Sequence, residues 1–182
     1  MIRIAGGRYR SRADWTTFIP QTYEAGTNPW PEYPRPQLRR QQWQSLNGIW
    51  TYQNATGLDA VNSPPFSQTL ADEVLVPSCL ESGLSGIQGN TTIYSWFSTQ
   101  FSVPPTWTGD RVLLNFGAVD YEATVFVNGK NASFHRGGYF AFTVDVTDHL
   151  VGSGTNELYV PSAGRTATYA KLTSSEQIGV RA

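Results

Sequence analysis

The chain has 182 residues, a net charge of −1, 13% aromatic residues and a single cysteine. Its length fits one domain, which can bury roughly two-thirds of the surface that its unfolded chain exposes. The charge balance gives no ground for a nucleic-acid partner, the lone Cys79 excludes an intramolecular disulfide, and no apolar stretch is long enough to span a membrane.

Residues 1–32 read as an extended N-terminal arm. Arg3, Arg8, Arg10 and Arg12 sit among glycines with little periodicity, and Pro29, Pro31, Pro34 and Pro36 impose an extended course. The opening residues lack the apolar centre of a signal peptide. A helix is an option at Gln37–Leu46, although Leu38, Trp43 and Leu46 hold a 3.6-residue stripe poorly. From there on, period-two alternation with β-branched and aromatic residues predicts strands at Ile49–Gln53, Glu73–Val76, Ile93–Val103, Arg111–Phe116, Ala123–Val127, Phe140–Val146 and Glu157–Val160. Asn128-Gly129 lies between two such runs and marks a two-residue hairpin turn. Short strands separated by Gly, Pro, Asn and Asp clusters predict an all-β fold: an antiparallel β-sandwich of jelly-roll type over residues 33–160, with almost no helix. Pro161 cannot donate to a sheet ladder, so the last strand is expected to stop at Val160. Residues 161–182 then form an atypical tail.

The six tryptophans are expected mainly in the core, because Trp50 and Trp96 lie in strand-like runs with Phe101. Trp30 and Trp107, in proline-rich connections, are the candidates for an exposed aromatic platform. Cys79 has no neighbouring cysteine or histidine to make a metal site and reads as a small buried hydrophobe. No metal or other cofactor is expected. Asn54-Ala55-Thr56, Asn90-Thr91-Thr92 and Asn131-Ala132-Ser133 are N-glycosylation sequons, which favour an extracellular or secreted location. Asn131 closely follows the hairpin turn, where a glycan would have room.

Six motifs in a fixed order carry a resemblance. Arg35-Pro36-Gln37-Leu38 with Trp43-Gln44-Ser45-Leu46-Asn47-Gly48-Ile49-Trp50 comes first. Val76-Pro77-Ser78 with Glu81-Ser82-Gly83-Leu84-Ser85-Gly86-Ile87 follows, then Tyr94-Ser95-Trp96-Phe97 and Phe101-Ser102-Val103-Pro104. Phe116-Gly117-Ala118-Val119-Asp120-Tyr121-Glu122-Ala123 and His135-Arg136-Gly137-Gly138-Tyr139 complete the set. Together they resemble the N-terminal sugar-binding domain of glycoside hydrolase family 2, which includes β-galactosidases, β-glucuronidases and β-mannosidases. The resemblance implies a jelly roll with a one-turn helix at Thr147–Leu150. It further implies a catalytic (β/α)₈ barrel as partner, absent from this chain. The sequence after Val160 departs from the family pattern, so a truncated fragment is expected. A shifted reading frame, an unspliced intron and a natural truncation all fit such a departure.

Glycoside hydrolysis by the usual route needs two carboxyl groups, about 5–5.5 Å apart for retention. In the family both glutamates belong to the barrel, which implies that this chain alone is inactive. Asp120 and Glu122, two apart in strand-like sequence, are expected to share one face as a solvated pair at a sheet rim. His135 and His149 make no nucleophile–base arrangement, and no G-x-S-x-G elbow is present. For carbohydrate contact the candidates are Gln88 and Asn90 in one loop and His135 and Arg136 in another, whose amide, imidazole and guanidinium groups suit sugar hydroxyls. The leading expectation is a non-catalytic sugar-binding domain of a family 2 enzyme. A stand-alone carbohydrate-binding module and a β-sandwich interaction domain without a glycan ligand are the alternatives. A docking face left without its partner is expected to drive self-association.

Overall fold

The computed structural model describes residues 41–81, 83–87, 93–152, 154–164 and 179–181. Strands β1 (Trp43–Ser45), β2 (Gly48–Asn54), β3 (Asp72–Val76), β4 (Tyr94–Ser102) and β5 (Leu113–Phe116) form the first half. Strands β6 (Glu122–Val127), β7 (Lys130–Arg136), β8 (Phe142–Asp145), β9 (Thr155–Ala163) and β10 (Gly179–Arg181) follow. They make a four-stranded sheet in the order β1-β10-β5-β8 and a six-stranded sheet in the order β3-β2-β4-β9-β6-β7. Every pairing is antiparallel. Helix among the described residues is confined to single turns: α1 (Leu58–Val61) and 3₁₀ turns at Gly83–Ser85, Pro105–Trp107 and Thr147–His149. The last of these is the one-turn helix that the sequence implied.

Alternation explains the core. Along β6, Ala123, Val125 and Val127 are buried while Glu122, Thr124 and Phe126 are only partly so. The inner face of the six-stranded sheet carries Trp50, Phe97, Val125, Leu158 and Val160, and packs with Leu114, Phe116, Val144 and Val180 of the four-stranded sheet. Trp50 can be buried because its indole Nε1 donates to the Leu46 carbonyl at 2.8 Å.

A second apolar cluster covers part of the outer face of the six-stranded sheet. The segment between β2 and β3 contributes Ala55, Val61 and Leu70, which pack with Trp96 and Tyr159. Trp96 Nε1 donates to the Val61 carbonyl at 3.2 Å, fastening α1 to the sheet.

The Asn128-Gly129 turn forms as expected, with φ of 51° and 75°. These left-handed values suit asparagine and glycine, and two in succession match the twist of the flanking strands. Asn128 does more than turn. Its Nδ2 donates to the His149 carbonyl at 2.8 Å and to Asn156 Oδ1 at 2.9 Å, while its Oδ1 accepts from the Glu157 amide at 2.9 Å. Asn156, fully buried, also accepts from the Val151 amide at 2.8 Å and donates to the Gly154 carbonyl at 3.2 Å.

Several expectations are corrected. Pro161 does not end β9, which runs on to Ala163 opposite Tyr94. The pairs made with β6 are Glu122↔Ala163, Ala123↔Ser162, Phe126↔Tyr159 and Val127↔Leu158, with none at Pro161, so the missing donor costs that ladder nothing. Within the expected tail, Gly179–Arg181 forms β10 and fully buries Val180. Of the helical option at Gln37–Leu46, residues 37–40 lie outside the described residues and the remainder holds β1, paired with β10 through Trp43↔Arg181. Trp107 is buried in the core rather than presented as a platform, and Cys79 is half-buried rather than buried. Trp30 lies outside the described residues.

Replacing Asn156 with leucine keeps the bulk but removes the acceptor of the Val151 amide and one of the two acceptors of Asn128 Nδ2, which keeps its bond to the His149 carbonyl. The expected loss is about 2 kcal/mol or more, at 1–3 kcal/mol per buried unsatisfied group. Urea unfolding monitored by tryptophan fluorescence measures it.

Candidate functional site

The end of β7 places two of the four expected sugar contacts. His135 pairs with Ala123 and Arg136 with Glu122, so successive side chains leave opposite faces of the strand. The His135 ring turns inward and stacks on Phe142 at 3.9 Å between centroids, and Phe142 stacks on Phe116 at 4.7 Å. Its Nε2 lies 3.1 Å from the Gly137 carbonyl. The imidazole is therefore already engaged by the rim of the core. Arg136 points outward, with its side chain 60% exposed, and pairs with Glu122 at 2.6 Å. Its guanidinium also lies 6.0 Å from the Phe134 ring centre. Gln88 and Asn90 lie outside the described residues.

The expected Asp120–Glu122 pair has two different environments. Glu122 is tied to Arg136, whereas Asp120 packs against the backbone of the following loop. A β-carbon on Gly138 would fall 2.5 Å from Asp120 Oδ1, closer than real contacts allow, so glycine is needed there for close approach. Of the glycosylation candidates, Asn54 and Asn131 are exposed and Asn90 is outside the described residues. Asn54 accepts a hydrogen bond from the Tyr52 hydroxyl at 2.5 Å through Oδ1, which leaves its nitrogen uninvolved in that bond.

A further site lies on the outer face of the six-stranded sheet, and period-two reading did not reveal it. An open groove of about 610 Å³ runs over β2, β4 and β9, between residues 66–69 and the Asn128-Gly129 turn. Its floor comes from register: Thr51 pairs with Ser98, Ser98 with Tyr159, and Gln100 with Glu157. Its wall is pinned from below. The Tyr159 hydroxyl shares its proton between the carbonyls of Pro65 at 2.8 Å and Gln68 at 2.6 Å. The Ser67 amide donates to the Glu157 carboxylate at 3.0 and 3.3 Å. Phe66 meets Phe126 and Tyr159 edge to face, with centroids 5.2 and 5.4 Å away. The signal that could have found this site was tertiary: Trp96 and Tyr159 are large apolar residues on the strand face that alternation assigns to solvent.

Burial, with the nearby Glu157 carboxylate, raises the Tyr159 phenol above its ordinary value near 10. The protonated form is thus favoured in the folded state. Its contribution is complete below the unfolded value near 10 and is lost as pH rises through the higher folded one. A Tyr159→Phe variant leaves two carbonyls without this donor and should lose about 1–3 kcal/mol. Denaturant unfolding at neutral and alkaline pH checks it, because the gap between wild type and variant should close as the phenol ionises.

Comparisons with known proteins place this geometry. Residues 87–178 match the family described as glycosyl hydrolase 2 galactose-binding domain-like. A β-glucuronidase of Paenibacillus borealis is 26% identical over 133 residues, which cover 70% of this chain and 22% of that protein. A β-glucuronidase of Felis catus is 28% identical over 134 residues, covering 67% of this chain and 20% of its own length. Among solved structures, the Lactobacillus rhamnosus β-glucuronidase superposes with a TM-score of 0.66 at 20% identity, over 79% of this chain and 29% of that one. The chain thus spans about a fifth of the length of the two curated relatives, at 22% and 20%. It belongs to glycosyl hydrolase family 2, as a galactose-binding-like β-sandwich domain.

Proposed function

We propose that this domain is the non-catalytic sugar-binding part of a larger glycoside hydrolase, whose hydrolysis of O-glycosyl bonds takes place in a catalytic barrel elsewhere in the parent protein. The observation that carries this reading is coverage. The galactose-binding-like region is matched, while most of each β-glucuronidase relative lies outside the match. Those relatives favour a β-glucuronide as the substrate of the parent.

Local chemistry supports the division of labour. A retaining glycosidase needs one carboxyl with a raised pKa facing a second, ionised one across the scissile bond. Glu122 is instead held in a surface ion pair with Arg136 at 2.6 Å, with no second carboxyl facing it across a cleft among the described residues. Pure protein assayed against aryl β-glucuronide, β-galactoside and β-mannoside should show no turnover. Turnover that survives purification and vanishes in Glu122→Gln would overturn the reading.

The rest of the parent has a place to dock. Phe134, Tyr139 and Phe140 are 57%, 92% and 71% exposed along the edge strand β7 and the loop after it. Exposed aromatics of this kind mark interaction surfaces. Kept apart from its parent, the domain should self-associate through them. Sedimentation velocity should show a dimer or larger species that Phe134→Ser and Phe140→Ser together return to monomer. A wild-type chain that stays monomeric at high concentration would count against this docking face.

A further inference from the structure

The groove on the outer face of the six-stranded sheet is left unused by this reading. Its size falls within the range of about 300–1,000 Å³ typical of small-ligand pockets. Hydroxyls and amides line it: Thr51 and Ser98 on the floor, Gln68 and Thr69 on the wall, and Gln100 at the end. Such groups donate and accept in fixed directions, as sugar hydroxyls require. Phe66 adds a partly exposed aromatic surface held in place by its two ring contacts.

The walls are held from inside the protein. The Tyr159 hydroxyl and the Glu157 carboxylate hold the 65–68 backbone, and buried Asn156 holds the Asn128 turn opposite. Ser67 adopts a φ of 60°, the left-handed region that a non-glycine residue enters only when its surroundings impose it. Preorganisation of this kind reduces the ordering cost of binding a flexible polyol.

Charge then selects the ligand. Among the described residues, Glu157 is the one charged residue lining the groove, and no lysine or arginine accompanies it to receive a carboxylate or phosphate. We propose that this groove binds a neutral saccharide and discriminates against uronic acids, with Gln100 and Gln68 as hydroxyl contacts and Glu157 as the selecting charge. This rests on the sugar-binding reading above and adds a location and a ligand class. It also separates the groove from the uronide chemistry suggested for the parent.

The experiment is a titration of the whole chain, followed by amide chemical shifts, with methyl β-glucoside and methyl β-glucuronide as matched probes. The neutral glycoside should move the amides of Gln68, Thr69, Gln100 and Gly129 saturably. Gln100→Ala, an exposed change, should weaken that binding about three- to tenfold, the size of one lost hydrogen bond. The glucuronide should bind more weakly, and Glu157→Gln, whose amide oxygen can still accept from Ser67, should narrow the difference. Shifts confined to the His135–Arg136 segment would overturn the groove while leaving the sugar-binding reading intact. Equal binding of both probes in the groove would overturn the charge argument. No shift with either probe, in a folded sample, would remove both the groove and the reading.

Discussion

Burial of both faces of the β4–β9 pair is the constraint from which the rest of the structure follows. These strands lie at the centre of the larger sheet and pair along nine positions, from Tyr94↔Ala163 to Ser102↔Thr155. On one side Phe97, Leu158 and Val160 enter the main core. On the other, Trp96 and Tyr159 need cover of their own and receive it from the segment between β2 and β3. That cover brings polar backbone with it, and the two outer-face side chains satisfy it through the indole and the phenol. The groove exists because the cover stops short of Thr51, Ser98 and Gln100, leaving a polar strip between the folded-over segment and the hairpin turn.

The same constraint decides what could be read in the sequence. Strands with one wet face were legible: β6 alternates cleanly, and the expected Ala123–Val127 differs from Glu122–Val127 by one residue. The ends of β9 were not, because residues 158–162 are all buried and alternation disappears where both faces are dry. Pro161 was read by its general cost, whereas its actual cost depends on whether the neighbouring ladder uses that donor. The short strands β1 and β10 carry too few residues for any period, and only their mutual pairing defines them. The candidate contacts fared in the same way. His135 has the right chemistry for a sugar, but the stack on Phe142 is a contact that no local pattern announces. Residues of the groove are scattered from 49 to 157, so nothing short of the sheet register assembles them.

Asn128 and Asn156 connect these levels. A turn residue chosen for its left-handed backbone also presents an amide to a buried partner, so turn geometry and core polarity are solved by one residue. The bonded partners reach His149, Val151 and Gly154, the connection between β8 and β9. One rim of the groove is therefore fixed from inside the protein and not by its own exposed side chains.

The pairing of Trp43 with Arg181 has a mechanical consequence. It places the first and last described strands side by side, running in opposite directions. A load carried between these two points pulls the partners apart across the ladder, so its bonds break one after another instead of resisting together in shear. Three residue pairs, Trp43↔Arg181, Gln44↔Val180 and Ser45↔Gly179, meet that load first, with the three β10–β5 pairs behind them. Under tension the sandwich would open like a zipper from this corner, lifting Val180 away from Leu114 before β4 and β9 feel any force.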